Sequence, residues 1–386
     1  MRIAYIGNYY NYGYSVSNIG TILVYLLVNV SGSNTVDVFC PNRNNSSKKD
    51  FVIANVNIHP VYDSNKPFSI LNLYKIEWKN YDLIIFNSLP TSFGRSSFTN
   101  FIGITLPLAI SKLMNRSVKL IYHNSTYTND VFKLGYNSNL DKIRFVILRG
   151  IEQILFKNID TYFPVNLYVE KIRKAVNKSM VRYLDIRYFE GLSSILVNRL
   201  IKNKSVYRNK LNPKLKTILL HGYWGPQKNL EFSLSALASL WEKGYRFKLI
   251  LSGGLNRNFL SYSRYFHELV NKYSYLINER IDYIGDDEIF PLFMKTDLVL
   301  IPYNAPGGHS SVLETAITFE NNVVCVKFAE FEEQAFNFER VKLVNIVEME
   351  KAIEDYLKSS QVSGKEILIY SKVIYALNSV KTMLLQ

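Results

Sequence analysis

Short runs of apolar residues recur along the chain, and longer segments with helical periodicity separate them. Most of the runs are apolar at successive positions instead of alternating with polar residues. This pattern is typical of parallel strands whose two sheet faces are both covered by helices. The runs of strand length are Ile3–Gly7, Thr35–Cys40, Leu83–Asn87, Val118–His123, Thr217–His221, Phe247–Ser252, Ile281–Ile284, Leu298–Pro302 and Val323–Lys327. Alternating strands and helices predict an α/β protein with doubly wound parallel sheets.

The strand–helix pattern occurs twice, which predicts two Rossmann-like domains. A stretch rich in Lys, Asn and Pro interrupts it around residues 200–215 and has the composition of a linker. We therefore predict one Rossmann-like domain over residues 1–205 and a second over residues 206–365. Residues 366–386 predict one more helix, which can pack on either domain. A length of 386 residues fits two domains of ordinary size.

Neither the N-terminus nor the longest apolar stretch indicates a membrane-targeting segment. The first ten residues lack the charged region, long apolar region and small-residue cleavage site of a signal peptide. The stretch Phe98–Met114 is interrupted by Thr, Asn, Pro and Ser, and it is short for a bilayer. We expect a buried helix there and a cytoplasmic protein.

Charge separates the two halves of the chain. The formal net charge is +14, and residues 1–210 hold 27 Lys and Arg against 12 Asp and Glu, whereas the remainder holds 19 against 20. A basic domain attracts phosphates, nucleic acid or an anionic membrane surface. Residues 142–158 alternate cationic and apolar positions at helical spacing, which favours either a membrane-surface helix or a core helix with a solvated basic face. Because no nucleic-acid motif is present, we do not expect a nucleic-acid partner.

Several chemistries are excluded by missing patterns. Two cysteines and five histidines, without an HExxH pattern, cannot form a disulfide framework or a cysteine-rich zinc site. No GxxxxGK[ST] or GxGxxG pattern is present, which excludes a P-loop NTPase and disfavours a nicotinamide cofactor. No DxD motif lies at a strand end, so we predict neither a metal ion nor a cofactor.

Three loops carry candidate binding residues. The loop after the first strand contains Tyr12, Gly13 and Ser15, which either contact a sugar or phosphate or form a plain strand-to-helix turn. In the second domain, Gly222, Lys228 and Asn229 follow the first strand, and a lysine beside a helix start is a natural phosphate partner.

The third loop lies between Pro302 and a helix predicted to begin near Val312. Backbone N–H groups at a helix N-terminus favour an anion such as a diphosphate, and glycines let the backbone approach it. The loop residues predicted to bind such an anion are Gly307, Gly308, His309, Ser310 and Ser311. Glu314, in the first helical turn, either caps the helix or accepts two hydroxyls of a ribose.

The last two loops together resemble the retaining glycosyltransferase family 4, also called glycosyl transferases group 1, which has the GT-B architecture. The family's strand–Gly–Arg–turn–Lys–Gly element matches His221–Gly222–Tyr223 followed by Lys228–Asn229, and the second glutamate of its Glu-x7-Glu motif matches Glu314. Two positions differ, because Tyr223 replaces the family's arginine and Pro306 replaces its first glutamate. Backbone amides of residues 308–311 are the expected substitute.

The resemblance implies two Rossmann-like domains facing a cleft and transfer of a hexose from a UDP- or GDP-sugar with retention of configuration, without a metal ion. It implies an acceptor-binding domain over residues 1–205, with the loop of Tyr12, Gly13 and Ser15, and a nucleotide-sugar-binding domain over residues 206–365, whose two loops hold the donor. It implies catalytic roles for Glu314 and for His123, which follows a strand where the family often places a histidine facing the donor sugar. The implied acceptor is a glycan or a lipid-linked sugar, bound by a protein held peripherally on the inner face of the membrane. Two alternatives remain: a catalytically inactive binding protein of the same fold, supported by the two substitutions, and a sugar-nucleotide epimerase, for which the chain shows too few acids and bases.

Overall fold

The computed structural model describes most of the chain as two compact units. The described residues are 1–9, 15–31, 34–42, 53–88, 93, 97–128, 139–177, 179–202, 215–282, 284–305, 308–359 and 369–386. The first unit contains residues 1–131 and 136–201 together with residues 370–386, and the second contains residues 202–369. The boundary near residue 201 lies next to the predicted linker, most of which falls outside the described residues.

The first unit is built on seven parallel strands in the spatial order β3-β2-β1-β4-β5-β6-β7. The strands are β1 Arg2–Gly7, β2 Thr35–Pro41, β3 Val56–Tyr62, β4 Leu83–Ser88, β5 Val118–Tyr122, β6 Asp160–Phe163 and β7 Val181–Tyr183. The helices are α1 Ser15–Ser31, α2 Ser97–Met114, α3 Asn139–Asn158, α4 Asn166–Ala175, α5 Phe189–Lys202 and the last helix, α12 Ile369–Leu385. The strand order reverses between β1 and β4, which is where sheets of this type bind ligands.

The second unit is built on six parallel strands in the order β10-β9-β8-β11-β12-β13. The strands are β8 Lys216–His221, β9 Phe247–Ser252, β10 Ile277–Ile281, β11 Leu298–Ile301, β12 Asn322–Val326 and β13 Val341–Val344. The helices are α6 Leu230–Glu242, α7 Ser263–Lys272, α8 Asp286–Met294, α9 Ser311–Thr318, α10 Ala329–Gln334 and α11 Met349–Lys358. Here the order reverses between β8 and β11. The predicted pair of doubly wound parallel sheets is confirmed.

The central strands follow the predicted burial. Strands β4, β5 and β11 are buried at every position, as their continuous apolar runs require. Large side chains complete each core, among them Trp78 and Phe156 in the first unit and Trp224 in the second. No helix in the described part of the chain is both long and apolar enough to cross a bilayer.

The sequence predictions fail mainly at sheet edges and at short strands. The strand predicted at Ile281–Ile284 is wrong, because β10 occupies Ile277–Ile281. This strand is half exposed, and its polar residues interrupt the apolar run from which strands were predicted. The pattern missed β3, β6, β7 and β13. Strands β3, β7 and β13 lie at sheet edges, where one side has no neighbouring strand. Strands β6, β7 and β13 are also short, with four, three and four residues. None of the four therefore carries a long apolar run.

The last helix packs within the first unit. Tyr375 on α12 hydrogen bonds to the Asp185 carboxylate, which also forms an ion pair with Arg187 at 2.6 Å. The Ser379 hydroxyl donates to the Asp185 carbonyl at 2.5 Å. The chain therefore returns to its first unit after completing the second.

Candidate functional site

Two loops meet at the carboxyl edge of the second sheet, where the strand order reverses. One follows β8 and contains Gly222 and Lys228, and the other follows β11. The Asn304 backbone N–H donates to the Gln227 carbonyl at 3.1 Å, and its side-chain amide donates to the Pro226 carbonyl at 3.2 Å. The two loops that the sequence singled out are thus hydrogen bonded to each other.

Lys228 lies on top of Tyr303, the second residue after β11. The Lys228 Nζ atom is 3.4 Å from the centre of the Tyr303 ring, which is a close cation–π contact. The lysine ends the short 3₁₀ segment Pro226–Lys228, and Asn229 follows in the left-handed conformation with φ of 48°. Asn229 therefore turns the chain into α6, which gives it a structural role at this position.

Three buried polar atoms at this edge have no hydrogen-bond partner among the described residues. They are the Tyr303 hydroxyl, Gln227 Oε1 and His309 Nε2. His309 Nε2 lies 3.7 Å from Glu333 Oε1, beyond hydrogen-bond distance. Burying a polar group without a partner costs about 1–3 kcal/mol, so such atoms gathered at one edge are typical of a site that a ligand completes.

His221, at the end of β8, belongs to the same edge. Burial and the neighbouring Lys228 ammonium lower the pKa of His221 to about 4, so its imidazole is neutral at pH 7. Its Nδ1 atom lies 3.2 Å from the Ser252 hydroxyl on the adjacent strand β9. The positive charge available to an anion at this point is consequently that of Lys228.

The helix N-terminus after the second loop differs from the prediction in two details. Helix α9 begins at Ser311, one residue before the predicted start, and Ser310 is its N-cap, accepting from the Leu313 N–H at 3.3 Å. The Ser310 backbone N–H, which the sequence assigned to a diphosphate, donates instead to Gln334 Oε1 at 2.9 Å. Gln334 Nε2 in turn donates to the Ser310 carbonyl at 2.8 Å, so Ser310 is occupied within the fold.

The other predicted donor residues are placed as follows. Gly308 adopts φ of +98°, a backbone conformation that favours glycine. Glu314 is the fourth residue of α9 and is buried, with 3% of its surface exposed. Gly307 and Pro306 lie outside the described residues. Tyr223, at the position of the family's arginine, is 44% exposed.

In the first unit, His123 follows β5 directly and is nearly buried. Its Nε2 atom lies 2.6 Å from Asn87 Oδ1 at the end of β4. The Asn87 side-chain amide donates to the Tyr5 hydroxyl at 2.8 Å, which donates to the Asn8 carbonyl. Since the Asn87 oxygen is the acceptor in this assignment, His123 carries a proton on Nε2. The histidine is therefore held at the carboxyl edge of its sheet.

The loop after β1, predicted to contact the acceptor, is only partly described. Tyr12 and Gly13 lie outside the described residues. Ser15 is the first residue of α1, and its side chain is outside them too. Their assignment stays a prediction.

Helix α3, which contains the basic segment predicted from the sequence, exposes apolar residues along its length. Its exposed apolar side chains are Leu140, Ile143, Val146, Ile147 and Ile154, each at least half exposed. The cations Lys142 and Arg149 are also exposed, and Arg149 lies over the Tyr127 ring at 4.5 Å. The sequence left open a membrane-surface helix and a core helix with a solvated basic face, and the membrane contact stays a prediction.

Comparison with solved structures shows the fold. Sucrose-phosphate synthase from Thermosynechococcus elongatus is 14% identical, with a TM-score of 0.64 over 99% of this chain and 94% of that one. Anabaena Alr3699/HepE in complex with UDP-glucose is 14% identical, with a TM-score of 0.64 over 100% and 99%. WaaG, a glycosyltransferase involved in lipopolysaccharide biosynthesis, is 14% identical, with a TM-score of 0.59 over 98% and 93%.

No protein-family model matches the chain, and a search of curated proteins finds no significant match either. At these identities the structural likeness establishes the architecture, with both sheets covered, and the predicted GT-B fold is confirmed. The residues that sequence reasoning missed are Tyr303, Gln227 and His221. With 28 tyrosines in the chain, no single tyrosine stands out, and only the contact with Lys228 distinguishes Tyr303.

Proposed function

We propose that the protein is a glycosyltransferase that transfers a hexose from a UDP- or GDP-sugar to a glycan or lipid-linked acceptor. One observation carries the proposal: Lys228 and three buried polar atoms that lack a partner among the described residues lie in the two loops that follow β8 and β11, where the second sheet reverses its strand order. That place in a doubly wound sheet is where nucleotides bind. HepE, which covers the whole chain, was solved with UDP-glucose, and this supports the same ligand class.

The chemistry of the site suits a leaving diphosphate. The Lys228 ammonium can move from the Tyr303 ring to a phosphate oxygen, and the Tyr303 hydroxyl and backbone amides at the start of α9 can donate to the others. Stabilising charge that develops on the leaving group is the main contribution such a site makes to transfer. On this proposal Lys228 and the helix dipole neutralise the diphosphate without a metal ion, and Glu314 binds the hexose or ribose hydroxyls.

In the first unit, we assign to His123 a contact with the transferred sugar or the reacting phosphate. Its Nε2 proton, held by Asn87, fixes the ring orientation. Retention of the anomeric configuration of the sugar is proposed from the resemblance to family 4. Determining the anomeric configuration of the product tests this.

The exposed face of α3 supports a peripheral contact with an anionic membrane on the inner face, where a lipid-linked acceptor would lie. Apolar residues that insert between headgroups, flanked by cations that attract anionic lipids, bind such a surface.

A catalytically inactive binding protein is the second candidate, and two substitutions favour it. Tyr223 and Pro306 replace the arginine and the first glutamate of the family's motifs. Such a protein would bind the nucleotide sugar but neither transfer nor hydrolyse it.

A thermal-shift screen against UDP, GDP, ADP and their sugars tests the proposal, because a ligand raises the melting temperature in proportion to its binding. The responding sugar nucleotide is then assayed for hydrolysis and transfer. Stabilisation followed by turnover supports the enzyme, whereas stabilisation without hydrolysis supports the binding protein. A chain that no nucleotide stabilises would refute both.

A further inference from the structure

Glu152 is a fully buried carboxylate on α3 whose side-chain partners lie on β5 and in the loop that follows. Its Oε2 atom accepts from the Ser125 hydroxyl at 2.9 Å, from the Thr126 N–H at 2.9 Å and from the Thr126 hydroxyl at 2.5 Å. Its Oε1 atom accepts from the Tyr122 hydroxyl at 3.0 Å. One side chain thus fixes both flanks of a short segment.

That segment contains His123. Tyr122 precedes the histidine and Ser125 follows it by two residues, while Asn87 holds the ring itself at 2.6 Å. The His123 backbone N–H donates to the Ser88 carbonyl at 3.3 Å. The His123 imidazole and backbone N–H are therefore both held by β4, and the residues that flank His123 are held by Glu152 of α3.

A carboxylate is a costly choice for this anchor. Glu152 has none of its surface exposed, and its neighbours on the helix, Leu155 and Phe156, belong to the apolar core. Burial raises the pKa of Glu152 to about 7 although four donors face it, and the titratable group among them is Tyr122. A group kept in such an environment at the ligand-binding edge of a sheet is typical of functional positions.

We propose that Glu152 is a positioning residue that fixes residues 122–126 and thereby the His123 imidazole for transfer. The inference rests on the proposed function for the role of His123, and the geometry of the anchor is independent of it. Glu152 itself does not touch the substrate in this proposal.

The test compares Glu152→Gln with Asp37→Asn. The glutamine keeps the size of the side chain but replaces one accepting oxygen by an NH₂ group. Asp37 is the control because it is also buried and accepts from Tyr81 at 2.9 Å and Asn57 at 2.7 Å, and it lies towards the amino end of β2, away from the edge with His123. Asp37 also forms an ion pair with Arg2 at 2.8 Å, so its replacement tests a loss of stability at least as severe.

We expect Glu152→Gln to lower kcat at least about tenfold, since small displacements of catalytic groups reduce rates by one to two orders of magnitude. The KM for the donor should change less than kcat, because most of the proposed donor contacts come from the second unit. Asp37→Asn should lower the melting temperature and leave kcat unchanged. An equal fall of kcat in both variants would attribute the effect to stability and overturn the inference.

Histidine NMR gives a readout that does not depend on turnover. Glu152→Gln should shift the imidazole resonances of His123 and leave those of His59, whereas Asp37→Asn should shift His59, whose Nε2 lies 3.5 Å from Asp37.

If Glu152→Gln does not fold, Thr126→Val removes one of the hydroxyls that donate to Glu152 and keeps the carboxylate. A folded variant with unchanged kcat and unchanged His123 resonances overturns the positioning role. A wild-type protein without transfer activity refutes the proposed function instead, and the His123 resonances then decide the positioning role alone.

Discussion

The ammonium of Lys228 lies 3.4 Å from the centre of the Tyr303 ring, which joins the loop after β8 to the loop after β11. In the absence of an anion, the ring stabilises the charge, and a phosphate offers a stronger partner. The contact therefore holds the lysine at the place where we expect the diphosphate.

Lys228→Ala should weaken UDP binding about tenfold or more, because a hydrogen bond to a charged group contributes about 1.5–3 kcal/mol. Isothermal calorimetry measures the change. Lys248→Ala is the matched control, since Lys248 is exposed at the amino end of β9 in the same unit. Equal affinity of both variants would remove Lys228 from the site.

Tyr303→Phe removes a buried hydroxyl that has no partner among the described residues. The ligand-free variant should be as stable as the wild type or more so, because an unsatisfied group is lost. Its affinity for UDP should fall about tenfold, since the donor to a phosphate oxygen is missing. Tyr275→Phe, at an exposed tyrosine of the same unit, should change neither quantity. A Tyr303→Phe variant that is destabilised and binds normally would assign the hydroxyl to the fold.

Glu314→Gln should lower kcat/KM strongly while circular dichroism and melting temperature show a folded protein. The carboxylate lies in the first turn of α9, and the amide keeps its size but not its charge or its capacity to accept two hydroxyls. Glu332→Gln on α10, an exposed glutamate paired with Lys327, is the control. Unchanged kinetics would exclude Glu314 from substrate binding.

Glu152 and His221 should give stability opposite dependences on pH. The pKa of Glu152 is raised to about 7, so its contribution is present at low pH and is lost as pH rises from about 4.5 through 7. The pKa of His221 is lowered to about 4, so its contribution is present above about 6.5 and is lost as pH falls towards 4.

Urea unfolding at pH 5 and pH 8 separates the two. The destabilisation caused by Glu152→Gln should be smaller at pH 8 than at pH 5 by about 3 kcal/mol at most, because a tenfold change in a protonation equilibrium corresponds to about 1.4 kcal/mol. The destabilisation caused by His221→Asn should be larger at pH 8 than at pH 5. If the destabilisation caused by either substitution were the same at both pH values, the pKa of that residue would not be shifted in the folded protein.

Replacing Ile143 and Ile147 on α3 by serine should abolish sedimentation with anionic vesicles at low salt. The wild-type protein should bind such vesicles, and binding should weaken as salt screens the cations of the same helix. Val347→Ser is the control, because Val347 is 82% exposed in the second unit. Wild-type protein that stays in the supernatant at low salt would indicate a soluble acceptor.

The sequence predicted the central strands well because burial on both faces leaves a continuous apolar signal. It missed β3 and shifted β10 because edge strands alternate with exposed polar residues and so resemble loops. It also could not assign α12 to a unit, since the contacts of Tyr375 and Ser379 with Asp185 join positions far apart in the chain.

The site was predictable as far as loop position allowed. Residues after β8 and β11 were selected because glycine-rich loops at carboxyl strand ends bind phosphates, and the hydrogen bonds of Asn304 place those loops together. The hydrogen bond from the Ser310 backbone N–H to Gln334 could not be predicted from the sequence, because Gln334 lies 24 residues away on a separate helix. Tyr303 and Glu152 were missed for the same reason, since only tertiary contacts distinguish them from other tyrosines and glutamates.

The return of α12 to the first unit affects how the protein can be divided. The described part of the second unit is one continuous stretch, whereas the first is assembled from two separated stretches. A C-terminal truncation before Ile369 would therefore damage the half of the molecule that was synthesised first. The second unit, by contrast, can be exchanged for that of another protein by joining the chain at two positions only.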